Sequence, residues 1–180
     1  YARHALDISF TAKTPVSFNG HEFNMSNIKD YARLYFGDIV ENAIVHYQWP
    51  EGTEVSKKKN KQQIAKDLSV VPRVEMIAID TPDEGHHLSF VNCMMTREGG
   101  VHLNAAIKAV ADHAVQTIND EMMKALNRRQ KGKGVDSKQK RANTISTSDV
   151  KPHISILLSV RVVNPKFTSQ TKTMLASPTP

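Results

Sequence analysis

Apolar and polar positions alternate most regularly near the end of the chain. Ile154, Ile156, Leu158, Val160 and Val162 alternate with His153, Ser155, Leu157, Ser159, Arg161 and Val163. This period of two predicts a long strand over 153–163 with at least one buried face. Asn164-Pro165 ends it, because proline has no N–H to give a ladder and Asn-Pro favours a turn. A polar string follows, Thr168-Ser169-Gln170-Thr171-Lys172. A rigid strand that delivers a Gln and a Lys on a short loop presents hydrogen-bond donors to an anion.

The preceding chain divides into short elements. Residues 3–9 have helical character but are too few to stand alone. Val16 and Phe18, Asn19-Gly20, then Glu22 and Phe23 predict a tight hairpin. Ser26 or Asn27 caps a helix through Phe36, closed by Gly37. Strands are expected at 43–49, stopped by Pro50-Glu51-Gly52, and at 71–79 and 88–93, joined across 81–85. In succession they suggest an antiparallel meander. The polar tract 56–66, with Lys57-Lys58-Lys59-Asn60-Lys61, reads as a solvated loop tip or as a second phosphate-contacting patch.

Gly99-Gly100 opens the longest element. Leu103, Ile107, Val110, Ala114, Ile118, Met122 and Ala125 or Leu126 recur at steps of three and four. They predict one apolar stripe on a helix to about residue 127, roughly 40 Å long, with Lys108, Asp112, Gln116 and Asp120 opposite. Residues 127–143 carry no periodicity and read as a loop, and 146–149 as a short capped turn. The expected fold is an α/β (α+β) sandwich, one helical layer on a mostly antiparallel four-stranded sheet. No internal repeat is visible.

Size and composition add bounds. A chain of 180 residues makes one ordinary domain or slightly more, and 39% hydrophobic content suffices for one core. Single Cys93 excludes an intrachain disulfide and fits a reducing compartment. No apolar run approaches a membrane span, and no signal peptide is visible. The start at Tyr1 and the end at Pro180 read as those of a piece of something longer.

The charge is localised. Between residues 124 and 141 eight Lys or Arg (124, 128, 129, 131, 133, 138, 140, 141) face Asp136 alone, a local +7. The remaining 16 basic and 17 acidic side chains sum to −1, so the net +6 resides in one segment. Such a cluster neutralises nucleic-acid phosphates through counterion release. No aromatic residue is interleaved, so base stacking and strong sequence preference are not indicated. A solvated loop and a localisation signal are the competing readings. Elsewhere, His86, His87, Cys93 and His102 fit no common zinc spacing, and His113 reads as packed or solvent-facing. Met122 and Met123 read as helix packing, and Gly132-x-Gly134 lacks the strand and helix of a phosphate-binding fingerprint.

Four places together resemble the transducer domain of type IIA DNA topoisomerases, in particular the eukaryotic and large-virus topoisomerase II branch. Tyr1 through Ile8 resembles the helix that leaves the GHKL ATPase domain. Ser89-Phe90-Val91-Asn92, with Gly99-Gly100-x-His102 shortly after, resembles the family's strand-to-long-helix junction. The basic loop lies where eukaryotic members carry a lysine-rich, DNA-contacting loop. Asn164-Pro165-x-Phe167-x-Ser169-Gln170-Thr171-Lys172 resembles the family's QTK loop. The 55–68 insertion and the length of the basic loop depart from the family pattern.

The resemblance implies a ribosomal-protein-like fold in which the long helix is a left-handed crossover between parallel neighbours. It also implies domain limits: 1–12 as the end of a linking helix, 13–172 as the transducer (with 127–143 as its basic loop), and 173–180 as the start of a next segment or a tail. Gln170 and Lys172 would touch the terminal phosphate of ATP. Arg128, Arg129, Lys131, Lys133, Lys138, Lys140 and Arg141 would face double-stranded DNA. The intact enzyme would be a homodimeric, ATP- and Mg2+-dependent isomerase, nuclear if cellular or at a viral replication site or virion if viral. ATP and Mg2+ would be held mainly by the enzyme's other parts, and this domain would contact its own ATPase domain and no membrane. The chain shows no nucleotide-binding glycine loop, no general base for water and no marked tyrosine nucleophile, so catalysis by it alone is not expected. Two alternatives stay open: a free-standing nucleic-acid-binding module without nucleotide dependence, and the middle region of another ATPase of the superfamily, such as a mismatch-repair or chaperone relative.

Overall fold

The computed structural model describes residues 1–25, 27–49, 73–82, 84–129 and 144–178. The expected turn at Pro50-Glu51-Gly52, the tract 56–66, Ser26 as a cap and loop residues 130–143 lie outside them. The central sheet contains β3 (Val45–Trp49), β4 (Arg73–Asp80), β5 (His87–Val91), β6 (Met94–Met95) and β7 (Ile154–Arg161). It is preceded by α1 (Ala2–Ala12), the hairpin of β1 (Val16–Phe18) and β2 (His21–Phe23), and α2 (Ile28–Phe36). Helix α3 (Val101–Arg129) joins β6 to the one-turn helix Thr147–Val150 before β7, and the small ladder of β8 (Lys166–Phe167) and β9 (Leu175–Ser177) follows.

The strand order is β3-β4-β7-β5-β6, so β7 is central. Its pairing with β4 is antiparallel and its pairing with β5 is parallel. This corrects two expectations. The sheet is five-stranded and mixed rather than four-stranded and mostly antiparallel. The meander fails as well, because β7 inserts between β4 and β5. Each strand carries the right alternation, but alternation does not say which strand is its neighbour. A parallel pair needs a long crossover, and α3 lies in that connection.

Helices cover both faces, not one. On one face Leu103, Val110 and Ala111 of α3 pack with Ala78, Val91, Ile154, Ile156, Leu158 and Val160. On the other, Phe10 of α1 and Ile28, Tyr31 and Ala32 of α2 pack with Ile77, Ile79, Phe90 and Leu157. Consecutive strand residues thus feed opposite cores. Phe10 stacks on Tyr31 at 4.3 Å between ring centroids and meets Phe90 edge-on at 5.8 Å. The Tyr31 hydroxyl donates to Asp7 at 2.7 Å, and burial, followed by its bonds to Tyr35 and Asp7, pushes it well above its ordinary pKa. Arg161 of β7 donates to the Thr11 carbonyl at 3.1 Å, and Lys13 pairs with Glu75 of β4 at 2.8 Å. Helix α1, too short to persist alone, is held by this packing.

The local signals that held are those with a mechanism. Asn19 and Gly20 both have positive φ, as a two-residue hairpin requires. Asn27 caps α2 by accepting from the Lys29 N–H at 2.8 Å. Ser146 and Asp149 form a capping box. The apolar stripe of α3 is only half used. No described residue of α3 beyond Ala111 is buried, and Ile118 is 41% exposed. The reason is length: 29 residues of helix extend about 43 Å, while eight residues of β7 extend about 26 Å, so α3 overshoots its sheet. Past the overshoot Asn119 bonds both backbone groups of Ile145, each at 3.0 Å, and so fixes the chain that returns towards β7.

Candidate functional site

The site is built on the junction between β6 and α3. Ser89 and Thr96 exchange a hydroxyl contact at 2.6 Å, and the Thr96 N–H donates to the Ser89 carbonyl at 2.8 Å. Asn92 extends the β5–β7 ladder with its side chain, donating to the Val162 carbonyl and accepting from the Val162 N–H, both at 2.8 Å. Ser89-Phe90-Val91-Asn92 is thereby explained: two residues enter opposite cores, one anchors the turn and one locks the central strand.

Gly99 and Gly100 then bring the start of α3 against the segment behind β8. The Glu98 N–H donates to Thr173 O and the Leu175 N–H donates to Gly99 O, each at 3.0 Å, and Gly100 bridges Leu175 in parallel fashion. A Cβ on Gly100 would lie 2.3 Å from the Leu175 carbonyl oxygen, and its φ of +130° is one that L side chains rarely adopt. Leu175 is buried in the α3-side core at 1% exposure.

Between β8 and β9 this clamp leaves a turn standing in solvent. Thr168 N–H donates to Met174 O and Lys172 N–H to Ser169 O, each at 3.1 Å, while Ser169 and Thr171 hydroxyls meet at 2.7 Å. Gln170, Thr171 and Lys172 are exposed, and Lys172 adopts left-handed backbone at φ 55°. The Lys172 ammonium meets no acidic side chain among the described residues. A free ammonium, which only donates, beside an amide NH2 that can also donate offers hydrogen bonds suited to phosphate oxygens.

The other predicted residues lie at the far end of α3. Arg128 is exposed in its last turn, and Arg129 is its final residue. Lys131, Lys133, Lys138, Lys140 and Arg141 fall outside the described residues. Gly100 and Arg128 are separated by about 42 Å of helix. The two candidate sites therefore stand at opposite ends of one element. Among the described residues no three His, Cys, Asp or Glu side chains converge on a metal position, and no helix is long and apolar enough to cross a membrane. The clamp by Leu175 is the feature that sequence reasoning missed; the adjacent glycines before a helix were its one visible signal.

This fold is that of a part of the ATPase region of type II topoisomerases. The chain resembles the ATPase region of Saccharomyces cerevisiae topoisomerase II, with a TM-score of 0.60 and 21% identity over 98% of this chain and 35% of that one. It resembles the ATPase and transducer domains of DNA topoisomerase II from Balamuthia mandrillaris, with a TM-score of 0.63 and 21% identity over 98% of this chain and 34% of that one. The chain belongs to the DNA gyrase B family, whose profile matches residues 27–179. In sequence it is 27% identical to DNA topoisomerase 2 of Penicillium chrysogenum over 97% of this chain. It is 23% identical to DNA topoisomerase 2 of Acanthamoeba polyphaga mimivirus, again over 97%. It spans 9% and 11% of the lengths of those two relatives.

Proposed function

We propose that this chain is the transducer segment of an ATP-dependent type IIA DNA topoisomerase, coupling nucleotide state to closure of the enzyme's entry gate. The observation that carries this reading is the clamp of Leu175 on Gly99-Gly100: an exposed donor loop is bonded, backbone to backbone, to the base of the crossover helix. Lys172 and Gln170 reach the terminal phosphate of ATP bound in the enzyme's own ATPase domain. Charge-assisted hydrogen bonds of this kind contribute about 1.5–3 kcal/mol each. Lost with the terminal phosphate, each such bond shifts the loop between two positions by a factor of about ten to a hundred.

On this reading β5, α3 and β7 form a left-handed crossover, and the basic segment after Arg128 faces the captured duplex. ATP supplies the phosphate that distinguishes the two states. Mg2+ belongs with the nucleotide rather than with the described residues, which offer it no converging carboxylates. The intact enzyme is a homodimer that cleaves one duplex and passes another through it, in a nucleus or at a site of viral replication. The test is Lys172→Ala in the intact enzyme, which depresses both ATP turnover and strand passage. Unchanged turnover would overturn the assignment and favour a module that binds nucleic acid without nucleotide.

A further inference from the structure

The two strand rows that floor the α1-side core change character at one end of the sheet. On β4 that face carries Ile79, Ile77 and then Glu75; on β7 it carries Leu157, Ser159 and then Arg161. Apolar packing gives way to charged and polar groups while the strands are still paired, Glu75 with Ser159 and Arg73 with Arg161. Glu75 is nevertheless buried, at 7% exposure. A buried carboxylate in a core-facing row breaks the pattern that the rest of β4 obeys, and such breaks concentrate at functional positions.

These groups face the end of α1. Lys13 is its C-cap, in left-handed backbone at φ 55°, and its N–H closes on the Ser9 carbonyl. Its ammonium lies 4.3 Å from the centre of the Phe10 ring and 2.8 Å from the Glu75 carboxylate. The two paired side chains are only 17% and 10% exposed. Arg161 donates to the Thr11 carbonyl, where helix acceptors lack intrahelical partners and the partial charge is negative. The cavity that Thr11, Lys13, Glu75, Ser159 and Arg161 enclose measures about 10 Å³, too small for a ligand. The cluster is a joint, not a binding site.

An ion pair so placed contributes little net stability, because desolvation offsets attraction. Apolar side chains would hold α1 to the sheet equally well, but would let its end slide and turn. Charge-assisted contacts to fixed partners set its depth and angle.

We propose that the Lys13–Glu75 pair and Arg161 make α1 and β7 move as one body, so that Glu75 and Arg161 are positioning residues for coupling ATP turnover to strand passage. The inference rests on the proposed function, in which α1 comes from the ATPase domain and the loop after β7 returns to its nucleotide. The chain then meets that domain by two routes, and the joint is where the routes converge. With the joint intact, displacement of the loop carries the sheet and α1 together. With it broken, the end of α1 turns freely and absorbs the displacement.

The measurement is the amount of supercoiled plasmid relaxed per ATP consumed by the intact enzyme. An unfolded fraction lowers both quantities equally, so the ratio does not respond to stability alone. Glu75→Gln lowers it at least about fivefold, while KM for ATP and turnover without DNA stay within about twofold of the parent's. Arg161→Gln, at an exposed side chain whose loss does not threaten folding, lowers the ratio in the same direction. Should Glu75→Gln not fold, Arg161→Gln decides alone. A parental ratio in both variants overturns the joint, and leaves the transducer reading standing if Lys172→Ala still depresses turnover. Unchanged turnover in Lys172→Ala overturns both.

Discussion

Gly100 and Leu175 are 75 positions apart and touch so closely that no side-chain atom fits between them: a Cβ on Gly100 would stand 2.3 Å from the Leu175 carbonyl oxygen and 2.6 Å from its nitrogen. Gly100→Ala therefore combines a disfavoured φ with a backbone clash. It is expected to cost more than about 2 kcal/mol of unfolding free energy. Gly20→Ala, also at positive φ but with open space around its Cβ position, is expected to cost about 1 kcal/mol. Denaturant melts of the two variants check the contrast; equal losses would mean that the contact with Leu175 carries no weight.

Lys172 holds left-handed backbone that a non-glycine residue adopts at a cost of about 1–2 kcal/mol. Lys172→Gly relieves that strain and is expected to raise the melting temperature of the isolated chain. The same change in the intact enzyme removes the ammonium and lowers ATP turnover, as Lys172→Ala does. Stability and activity should move in opposite directions for glycine, and a fall in both would show that the left-handed turn is not strained.

The pH dependence of stability has a named source in His102. Burial lowers its pKa from 6.5 to about 4 in the folded chain. The unfolded chain therefore binds a proton, as pH falls from about 6.5 to about 4, that the folded chain refuses. The stability at stake is fully present above pH 6.5 and is lost through that window, on the order of 3 kcal/mol at most. Unfolding free energies measured from pH 7 to pH 4 should fall, and His102→Gln should flatten the profile. An identical slope in parent and variant would assign the pH dependence elsewhere.

Asn119 makes two hydrogen bonds to Ile145 that mimic a strand pair. Asn119→Ala is expected to cost about 1–3 kcal/mol. Amide exchange should rise at residues 144–146 and stay unchanged at Gly99, Gly100 and Leu175. A uniform rise would mean that the two ends of α3 unfold together.

Neutralising Arg128, Arg129, Lys131 and Lys133 together should weaken duplex binding by the intact enzyme and lower the slope of log K against log salt by up to about 3.6. DNA-stimulated ATP turnover should fall with it. A salt slope equal to the parent's would remove this segment from the duplex contact.

The sequence showed those parts of the fold whose cause is local. The alternation of 153–163 is visible because β7 is central and both its faces meet a core. Asn19-Gly20, Asn27 and Ser146-Asp149 are visible because turns and caps demand particular residues. The neighbours of β7 were not legible from pattern, since β4 and β5 carry the same alternation; the family resemblance supplied the parallel pair. Leu175 was illegible for a different reason. It is one leucine in a short mixed stretch, between Met174 and Ala176, held in the core where two glycines about 75 positions earlier admit its backbone. For the candidate site, Gln170 and Lys172 stand exposed as the loop reading expected, but nothing near them in sequence shows what holds the loop still. His102 was visible as a residue and not as a buried one, because its burial arises only where the start of α3 meets Thr96.

The overshoot of α3 has a mechanical consequence. Its fully buried residues end at Ala111, and eighteen further residues to Arg129 extend about 27 Å past them, bonded to the returning chain through Asn119 and Ile145. A helix fixed at one end behaves as a lever arm whose fulcrum is the Gly99-Gly100 junction. A tilt of about 5° there sweeps the far end, about 43 Å away, through about 4 Å and carries Asn119 and its bonded partner Ile145 with it. Amplification of this kind needs no rearrangement of the sheet, only stiffness along the helix and a firm grip at its base.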